Sequence, residues 1–345
     1  LLVRRLYVQN FRNLAEQELH FSPEINILVG ENGHGKTNLV EAIYILSTTK
    51  SFRTSKKEEL IRWGKDSAVV FGEVERDDSV ATLSLEITKT KTRFLRNDEE
   101  VKRDLSTLTT VSFFPSDLEI IKGSPCERRR FLDKLIVDLY PESLNLFLTY
   151  QRALAQKNRI LKSVKVDIEA VHVYNKILTE VGEKISEYRE SVSTLLTDFA
   201  TKELFFLKTP EKSLVVEYKP SVFEPDKAER EVAAKMSLFG AHRDDLSFIL
   251  DGNDARAYAS QGQTRSVLLA LKLASIKLIE EKRKTSPIVL LDDVDSELDD
   301  RRRTDFFNHL SESKRQIFIT SPSGRHLEGL PGRIFKIKDG HWIKP

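Results

Sequence analysis

The sequence contains a single cysteine, Cys126, so no intrachain disulfide can form and no cysteine-rich metal site can be built. Such a composition fits a reducing, cytoplasmic setting. No apolar run is long enough to cross a bilayer. Residues 1–20 read as a charged strand, so no secretory leader is expected there. An excess of either charge sign is also missing, since 55 Lys and Arg against 53 Asp and Glu leave a net charge of +2. Overall charge thus argues neither for nor against nucleic acid, and only local patches can. Internal repeats and low-complexity tracts are absent. What remains is 345 residues with an ordinary apolar share of 40%, enough for two domains with a core each.

Residues 1–115 alternate strand-like runs with turns: Leu1–Phe11, Glu18–Phe21, Ile25–Val29, Ala68–Glu75, Ala81–Thr88 and Val111–Phe114. Period-2 alternation is clearest in Thr82-Leu-Ser-Leu-Glu-Ile87. Residues 125–236 carry apolar residues at helical spacing, over Arg128–Tyr140, Glu142–Leu161, Ile168–Lys202 and Glu224–Ser237, with a strand as an option at Leu214–Tyr218. From Gly240 strands and helices alternate again: Ser247–Leu250, Thr264–Lys282, Ile288–Leu291, Asp300–Leu310 and Gln316–Thr320. A β-rich start, a helical middle and an α/β finish imply that both ends of the chain build one domain.

Four elements carry chemistry. The first is Gly30-Glu31-Asn32-Gly33-His34-Gly35-Lys36-Thr37, followed by Asn38, set between an apolar strand and an apolar helix. In that context glycines let the backbone wrap a polyphosphate with inward N–H groups, and the helix start favours negative charge. Lys36 is placed for the β- and γ-phosphates and Thr37 for Mg²⁺. The second is Ile288-Val-Leu-Leu-Asp292-Asp293, an apolar strand ending in paired acids, where open α/β sheets bind ligands. Asp292 is expected to hold Mg²⁺ and Asp293 to polarise the attacking water. The plainer alternative is a strand ending in a solvated acidic turn. The third is Ser260-Gln261-Gly262-Gln263 at a helix start, a second anion-binding geometry. One P-loop already cradles the triphosphate, so the economical occupant is the γ-phosphate of a nucleotide held by another subunit. A simple helix cap by Ser260 is the alternative. The fourth is Ser296-Glu297-Leu298-Asp299, a polar loop placed to cross a dimer interface, or a helix start capped by Asp299.

In this order and spacing the four elements resemble the ABC-type ATPase heads of the SMC-like class: P-loop, degenerate signature, paired acids and D-loop. Three departures stand out. The signature reads Ser-Gln-Gly-Gln, the second acid is Asp293 where most of the class has Glu, and no histidine follows Gln316–Thr320 at the switch position, which leaves Thr320 or Ser321 to serve. The insert of about a hundred residues lacks the sustained heptads of long SMC arms. Pro115–Asp133, Leu290–Asp299, Phe11-Arg12-Asn13, Gly240–Asp245 and Tyr258–Arg265 narrow the likeness to the RecF family, over essentially the whole chain.

That resemblance implies an α/β fold: an ABC-type ATPase head, with a mixed β-sheet lobe and a P-loop α/β core, formed by residues 1–118 and 238–345, and a mainly helical lobe II insertion at 119–237. It implies ATP and Mg²⁺ as cofactors, a weak DNA-stimulated ATPase, and ATP-dependent homodimers in which each P-loop faces the partner's signature. It further implies action on single-strand/duplex DNA junctions with RecR and RecO, loading of RecA at gaps, and a part in the SOS response. The shorter acid at Asp293 adds an expectation of slow turnover. Arg128, Arg129 and Arg130, with Lys50, Arg53, Lys56 and Lys57, are the candidate sequence-blind phosphate contacts; structural pairing and plain solvation are their alternatives. The stripe Lys157, Arg159, Lys162 and Lys165 reads as solvated. His242-Arg243-Asp244 reads as a structural or coupling loop without a nucleophile, and Trp63 and Trp342 as packing residues. A nucleotide-switched protein-binding adaptor with little direct DNA affinity is the rival function.

Overall fold

The computed structural model describes residues 1–77, 79–101, 107–221, 228–293, 300–311, 315–324, 327 and 331–343. Strands β1 (Leu2–Gln9), β2 (Gln17–His20) and β3 (Ile25–Val29) lead into helix α1 (Lys36–Thr48). Strands β4 (Ser67–Arg76), β5 (Ser79–Thr88), β6 (Thr92–Arg96), β7 (Glu99–Glu100) and β8 (Thr110–Phe113) follow. Helices α2 (Glu119–Lys122), α3 (Pro125–Leu139), α4 (Leu144–Leu161) and α5 (Ile168–Phe206) come next. After them run β9 (Leu214–Lys219), α6 (Ala228–Ala234), β10 (Asp245–Leu250), β11 (Asn253–Asp254), α7 (Ala255–Tyr258) and α8 (Gln261–Arg283). The chain closes with β12 (Ile288–Asp292), α9 (Asp300–Ser311), β13 (Ile317–Ser321), β14 (Gly332–Lys338) and β15 (His341–Ile343).

Two compact units result, residues 1–116 with 279–345 and residues 117–278. From sequence the head is expected to resume at residue 238, yet residues 238–278 stay with the second unit. Strand pairing explains the difference. β9 lies inside the expected helical insertion and pairs antiparallel with β10 from Leu214–Leu250 to Lys219–Asp245, and β11 extends that sheet.

The first unit holds two six-stranded sheets. One is antiparallel, in the order β2-β1-β4-β5-β6-β7. Leu83, Leu85 and Ile87 of β5 all turn inward, as the alternation predicts. The other has the order β15-β14-β3-β13-β12-β8, parallel except for β15. Its central strands are apolar on both faces, the pattern of a parallel sheet covered on both sides. Helix α1 packs against strands of both sheets, and its Leu39, Val40, Ala42, Ile43 and Leu46 are fully buried. Trp342 leans on Phe335 of this core at 5.6 Å between rings. Trp63 does not pack: it stands 99% exposed in the turn before Gly64. Burial by type fails here because the turn carries the indole off the sheet.

The second unit pairs α4 with α5 through Tyr150, Ala153, Leu178 and Ile185. Its polar interior is organised by one guanidinium. Arg189 donates to both oxygens of Asp133 at 2.8 and 2.9 Å, to Asp244 at 2.7 Å and to the Ala241 carbonyl at 2.6 Å. Burial alone would lower its pKa, but the two carboxylates hold it above the ordinary arginine value. The Tyr218 hydroxyl and the Ser221 N–H also donate to Asp244. Lys157, expected as part of a solvated stripe, is 1% exposed and ion-paired with Glu231 at 2.7 Å. Its partner lies beyond the reach of any local pattern.

His242 belongs to this interior. Its Nε2 lies 3.3 Å from the Ser237 carbonyl and its Nδ1 3.0 Å from the Tyr150 hydroxyl. A neutral ring protonated at Nε2, with Tyr150 donating to Nδ1, satisfies both. Burial pushes the imidazole down to about 4, reinforced by the charges of Arg243, Lys157 and Arg129. The unfolded chain therefore takes up this proton first as pH falls, so the contribution of His242 is complete above pH 6.5 and declines toward pH 4. Urea denaturation at pH 7 and 4.5 is expected to show a loss on the order of 2 kcal/mol from this group. His242→Gln should remove that share of the pH dependence; an unchanged slope would contradict the neutral, buried assignment.

Candidate nucleotide site

The site forms at the carboxyl edge of the parallel sheet, where β3, β13 and β12 end side by side. Val29 of β3 is in register with Ser321 of β13, and Thr320 of β13 with Asp292 of β12. The loop 30–35 leaves β3 at this edge and enters α1 at Lys36. Gly35 adopts φ 107°, a left-handed conformation that favours glycine. At Gly30 an added Cβ would collide with the carbonyl oxygen of Ile337, so the loop can only lie this close to β14 without a side chain.

Neighbouring segments brace the loop. Asn13 donates to the Gly33 carbonyl at 2.9 Å and accepts from Asn38 at 2.7 Å. In the β14–β15 turn, Gly340 N–H donates to the His34 carbonyl at 3.0 Å and Asp339 N–H to His34 Nδ1 at 3.3 Å. Lys36 Nζ donates to the Gly30 and Glu31 carbonyls at 2.6 and 3.0 Å. Its ammonium thus lies under the concave face of the loop.

Asp292 gathers the other half. One of its oxygens accepts from the Thr37 hydroxyl at 2.9 Å and from the Thr320 hydroxyl at 2.8 Å. The same Thr320 oxygen accepts the Asp293 N–H at 3.0 Å. Burial raises the Asp292 pKa, opposed by the Thr320 and Thr37 hydroxyls and by the charges of Arg53 and Lys36. Asp293 sits at φ 55°, a left-handed conformation for a non-glycine residue at the strand end. A threonine hydroxyl and a carboxylate oxygen at 2.9 Å form a hard-oxygen pair of the kind Mg²⁺ takes alongside substrate phosphates and water.

Glu41, which belongs to no motif, lies behind the phosphate loop. It is fully buried on α1, where both its oxygens accept from Arg12, at 2.9 and 2.7 Å, and one accepts from Ser51 at 2.5 Å. Arg53 approaches it to 3.6 Å and donates to Asn38 at 2.7 Å. A chain of contacts therefore runs from Arg12 and Arg53 through Asn38 and Asn13 to the P-loop carbonyl of Gly33. The available signal is a lone acid within the apolar stretch Leu39–Leu46.

In the second unit, the signature residues open α8 as a reciprocal cap. Gln263 N–H donates to Ser260 Oγ at 3.2 Å, and Ser260 N–H donates to Gln263 Oε1 at 2.9 Å. Gln261 and Gly262 occupy the first turn, and Ser260 and Gln261 are exposed. The D-loop candidates Ser296, Glu297, Leu298 and Asp299 lie outside the described residues.

The basic candidates divide. Arg128 is corrected: its side chain is 3% exposed, grips both oxygens of Asp245 at 2.7 and 3.0 Å and donates to the Gly123 carbonyl, so it is a structural arginine. Arg129 donates to the Asp244 carbonyl at 2.5 Å. Arg130 pairs with Glu127 at 2.6 Å yet stays 68% exposed. Arg53 is 46% exposed beside Asn38, Lys56 is 74% exposed near Glu59, and Lys57 donates to the Thr90 carbonyl.

Comparison with known proteins follows the same line. The chain matches the RecF/RecN/SMC N terminal domain family over residues 2–340. It is 35% identical to the DNA replication and repair protein RecF of Lysinibacillus sphaericus over 98% of both chains. It is 36% identical to the same protein of Bacillus thuringiensis over 95% of this chain and 94% of that one. A solved structure of the recombination mediator protein RecF with ATP, in the RecFOR pathway, superposes with a TM-score of 0.89 at 31% identity, over 99% and 97% of the two chains. The Smc head domain of Pyrococcus furiosus shares the fold, with a TM-score of 0.58 at 17% identity over 99% and 94%.

Among the described residues no helix is long and apolar enough to cross a membrane.

The buried Glu41 yields a direct test. Glu41→Ala strands the Arg12 guanidinium and should lower unfolding stability by about 3 kcal/mol. Urea titration of the two proteins checks this, and a difference under about 0.5 kcal/mol would show the pair to be dispensable.

Proposed function

We propose a function from the premise that the chain belongs to the RecF family of DNA replication and repair proteins: it binds ATP at the P-loop, dimerises head to head with the nucleotide between copies, and holds DNA while dimeric. The observation that carries this reading is the joint at Asp292, where Thr37, Thr320 and the carboxylate meet beneath the phosphate loop. The solved RecF structure named for ATP supports the choice of nucleotide.

In this reading Lys36 turns from the loop carbonyls to the β- and γ-phosphates, and the N–H groups of residues 33–38 complete the cradle. Thr37 and Asp292 would hold Mg²⁺, which supplies charge neutralisation at the phosphates. Asp293 accepts a proton from, and orients, the attacking water, with its backbone fixed by Thr320. Ser260 and the first amides of α8 reach the γ-phosphate of the partner's ATP, and Ser296 to Asp299 cross the interface. Dimerisation lets contacts on both copies engage DNA together, which raises avidity. Slow hydrolysis, stimulated by DNA, removes the shared phosphate and opens the clamp. The exposed Arg130, Arg53 and Lys56 and the half-buried Lys57 are the phosphate contacts in this scheme; Arg128 is not. The preferred substrate is a single-strand/duplex junction. RecR and RecO are partners in loading RecA at gaps and in SOS induction.

Sedimentation with ATP, ADP and a non-hydrolysable analogue tests the scheme. Lys36→Met should lose nucleotide binding. Ser260→Arg should bind ATP but remain a monomer, and Asp293→Asn should bind ATP, hydrolyse poorly and accumulate as dimer. Normal ATP-driven dimerisation of Ser260→Arg would sink the shared-nucleotide geometry. Salt separates this scheme from a protein-binding adaptor: direct phosphate contact predicts that DNA affinity of the isolated chain falls steeply as salt rises. An adaptor would show no such affinity to titrate.

A further inference from the structure

Three sequence blocks of the second unit, Asp117–Asp133, Gly240–Asp245 and Tyr258–Arg265, have no assigned chemistry beyond Ser260 to Gln263, yet they meet in space. Lys122, the last residue of α2, uses its ammonium on three backbone carbonyls: Ala255 at 3.0 Å, Arg256 at 3.1 Å and Ala259 at 2.9 Å. Ala255 and Arg256 belong to the single-turn helix α7 and Ala259 is the residue immediately before Ser260; the Ala255 carbonyl also accepts the Ala259 N–H at 3.2 Å. The start of α7 is closed by Asp254, whose carboxylate accepts the Arg256 N–H at 2.8 Å. All three donors of an ammonium are thus spent on fixing a backbone, with no carboxylate partner among those bonds.

The same block grips the segment at two further points. Arg128 holds Asp245, the first residue of β10, with a bidentate pair, and donates to Gly123 next to Lys122. Asp117 pairs with Lys272 of α8 at 2.9 Å, and the Lys272 ammonium also lies 5.6 Å from the centre of the Phe131 ring. Residues 117–131 therefore seize the chain before the signature loop, at its threshold and after it.

We propose that Lys122 is the positioning residue of the signature loop: it sets the height and direction at which Ser260 and the first amides of α8 are offered to the γ-phosphate of the nucleotide on a second copy of this chain. The assignment rests on the trans role given to Ser260 above. In this role Lys122 acts through the backbone that it holds and not on the nucleotide. Its lesion should fall on the signature side of the dimer and spare the P-loop of the same chain, a split that a general loss of fold would not produce.

Mixing experiments with the full chain read this split. Lys122→Met keeps the stem and removes the donors. Its ATP binding as a dilute monomer is expected to stay within about twofold of wild type, while ATP-driven dimerisation and hydrolysis fall about tenfold. Lys122→Arg, which keeps donors, should recover most of both. Lys36→Met has a sound signature loop and a dead P-loop. An equimolar mixture of Lys36→Met with Lys122→Met should therefore build mixed dimers with one sound site and regain up to about a quarter of wild-type turnover by random pairing. A Ser260→Ala and Lys36→Met mixture serves as control. If the control regains turnover and the Lys122→Met mixture does not, the Lys122 assignment falls and the trans reading stands. If neither mixture recovers, the trans reading falls and takes the assignment with it. Wild-type turnover by Lys122→Met alone, or loss of its ATP binding, also overturns the assignment.

Discussion

Everything at the nucleotide edge depends on one carboxylate oxygen. Asp292 ends β12, Thr320 lies near the end of β13, and Thr37 stands in the first turn of the helix that follows β3. Two hydroxyls donating to one oxygen tie these three chain segments into a single joint. Asp292 is buried, so its charge needs those donors, and the nearby cations Arg53 and Lys36 add to them. The joint also reaches the next residue, because the Thr320 oxygen that donates to Asp292 receives the Asp293 N–H. Sheet register therefore controls which atoms meet at this edge, and a slip of one residue would dismantle the joint.

A second layer of order lies behind the first. Glu41 is a charge placed within the apolar stretch Leu39–Leu46 of α1, and such a group survives only when fully paired. Arg12 supplies the pairing from the turn after β1, with Ser51 and Arg53 joining from beyond α1. The P-loop thus inherits its position from three directions: the β14–β15 turn, Asn13, and its own helix. In the second unit Arg189 plays the matching part, gathering Asp133, Asp244 and the Ala241 carbonyl in an interior where none could remain bare. The two hubs mirror each other: at Glu41 one carboxylate accepts from donors of different segments, and at Arg189 one guanidinium donates to acceptors of different segments.

Local chemistry was legible in the sequence, and long-range pairing was not. The phosphate loop, the aspartate strand and the start of α8 declare themselves through contiguous residues whose types have one mechanical meaning. The strands of β1, β3, β5 and β8 were visible from alternation or from short apolar runs. By contrast, Arg128 finds Asp245 and Lys157 finds Glu231 only because the fold brings distant segments together. The same reason moved the boundary of the second unit, since nothing local announces that Leu214–Lys219 will pair with residues after Gly240. Trp63 was misjudged because composition favours burial of indoles, while a glycine-bearing turn holds this one in solvent. The β14–β15 hairpin is a different case: Asp339-Gly340 between two alternating segments is a recognisable turn signal.

The left-handed backbone at residue 293 bears on why this chain carries an aspartate there. Short side chains able to bond their own main chain tolerate that region of conformational space, whereas longer unbranched ones pay roughly 1 kcal/mol more to enter it. Chain length at this position is thereby coupled to the shape of the bend leaving β12. In the proposed scheme, reach toward a water molecule and comfort in the turn are competing demands, and the residue found is the one that satisfies the turn.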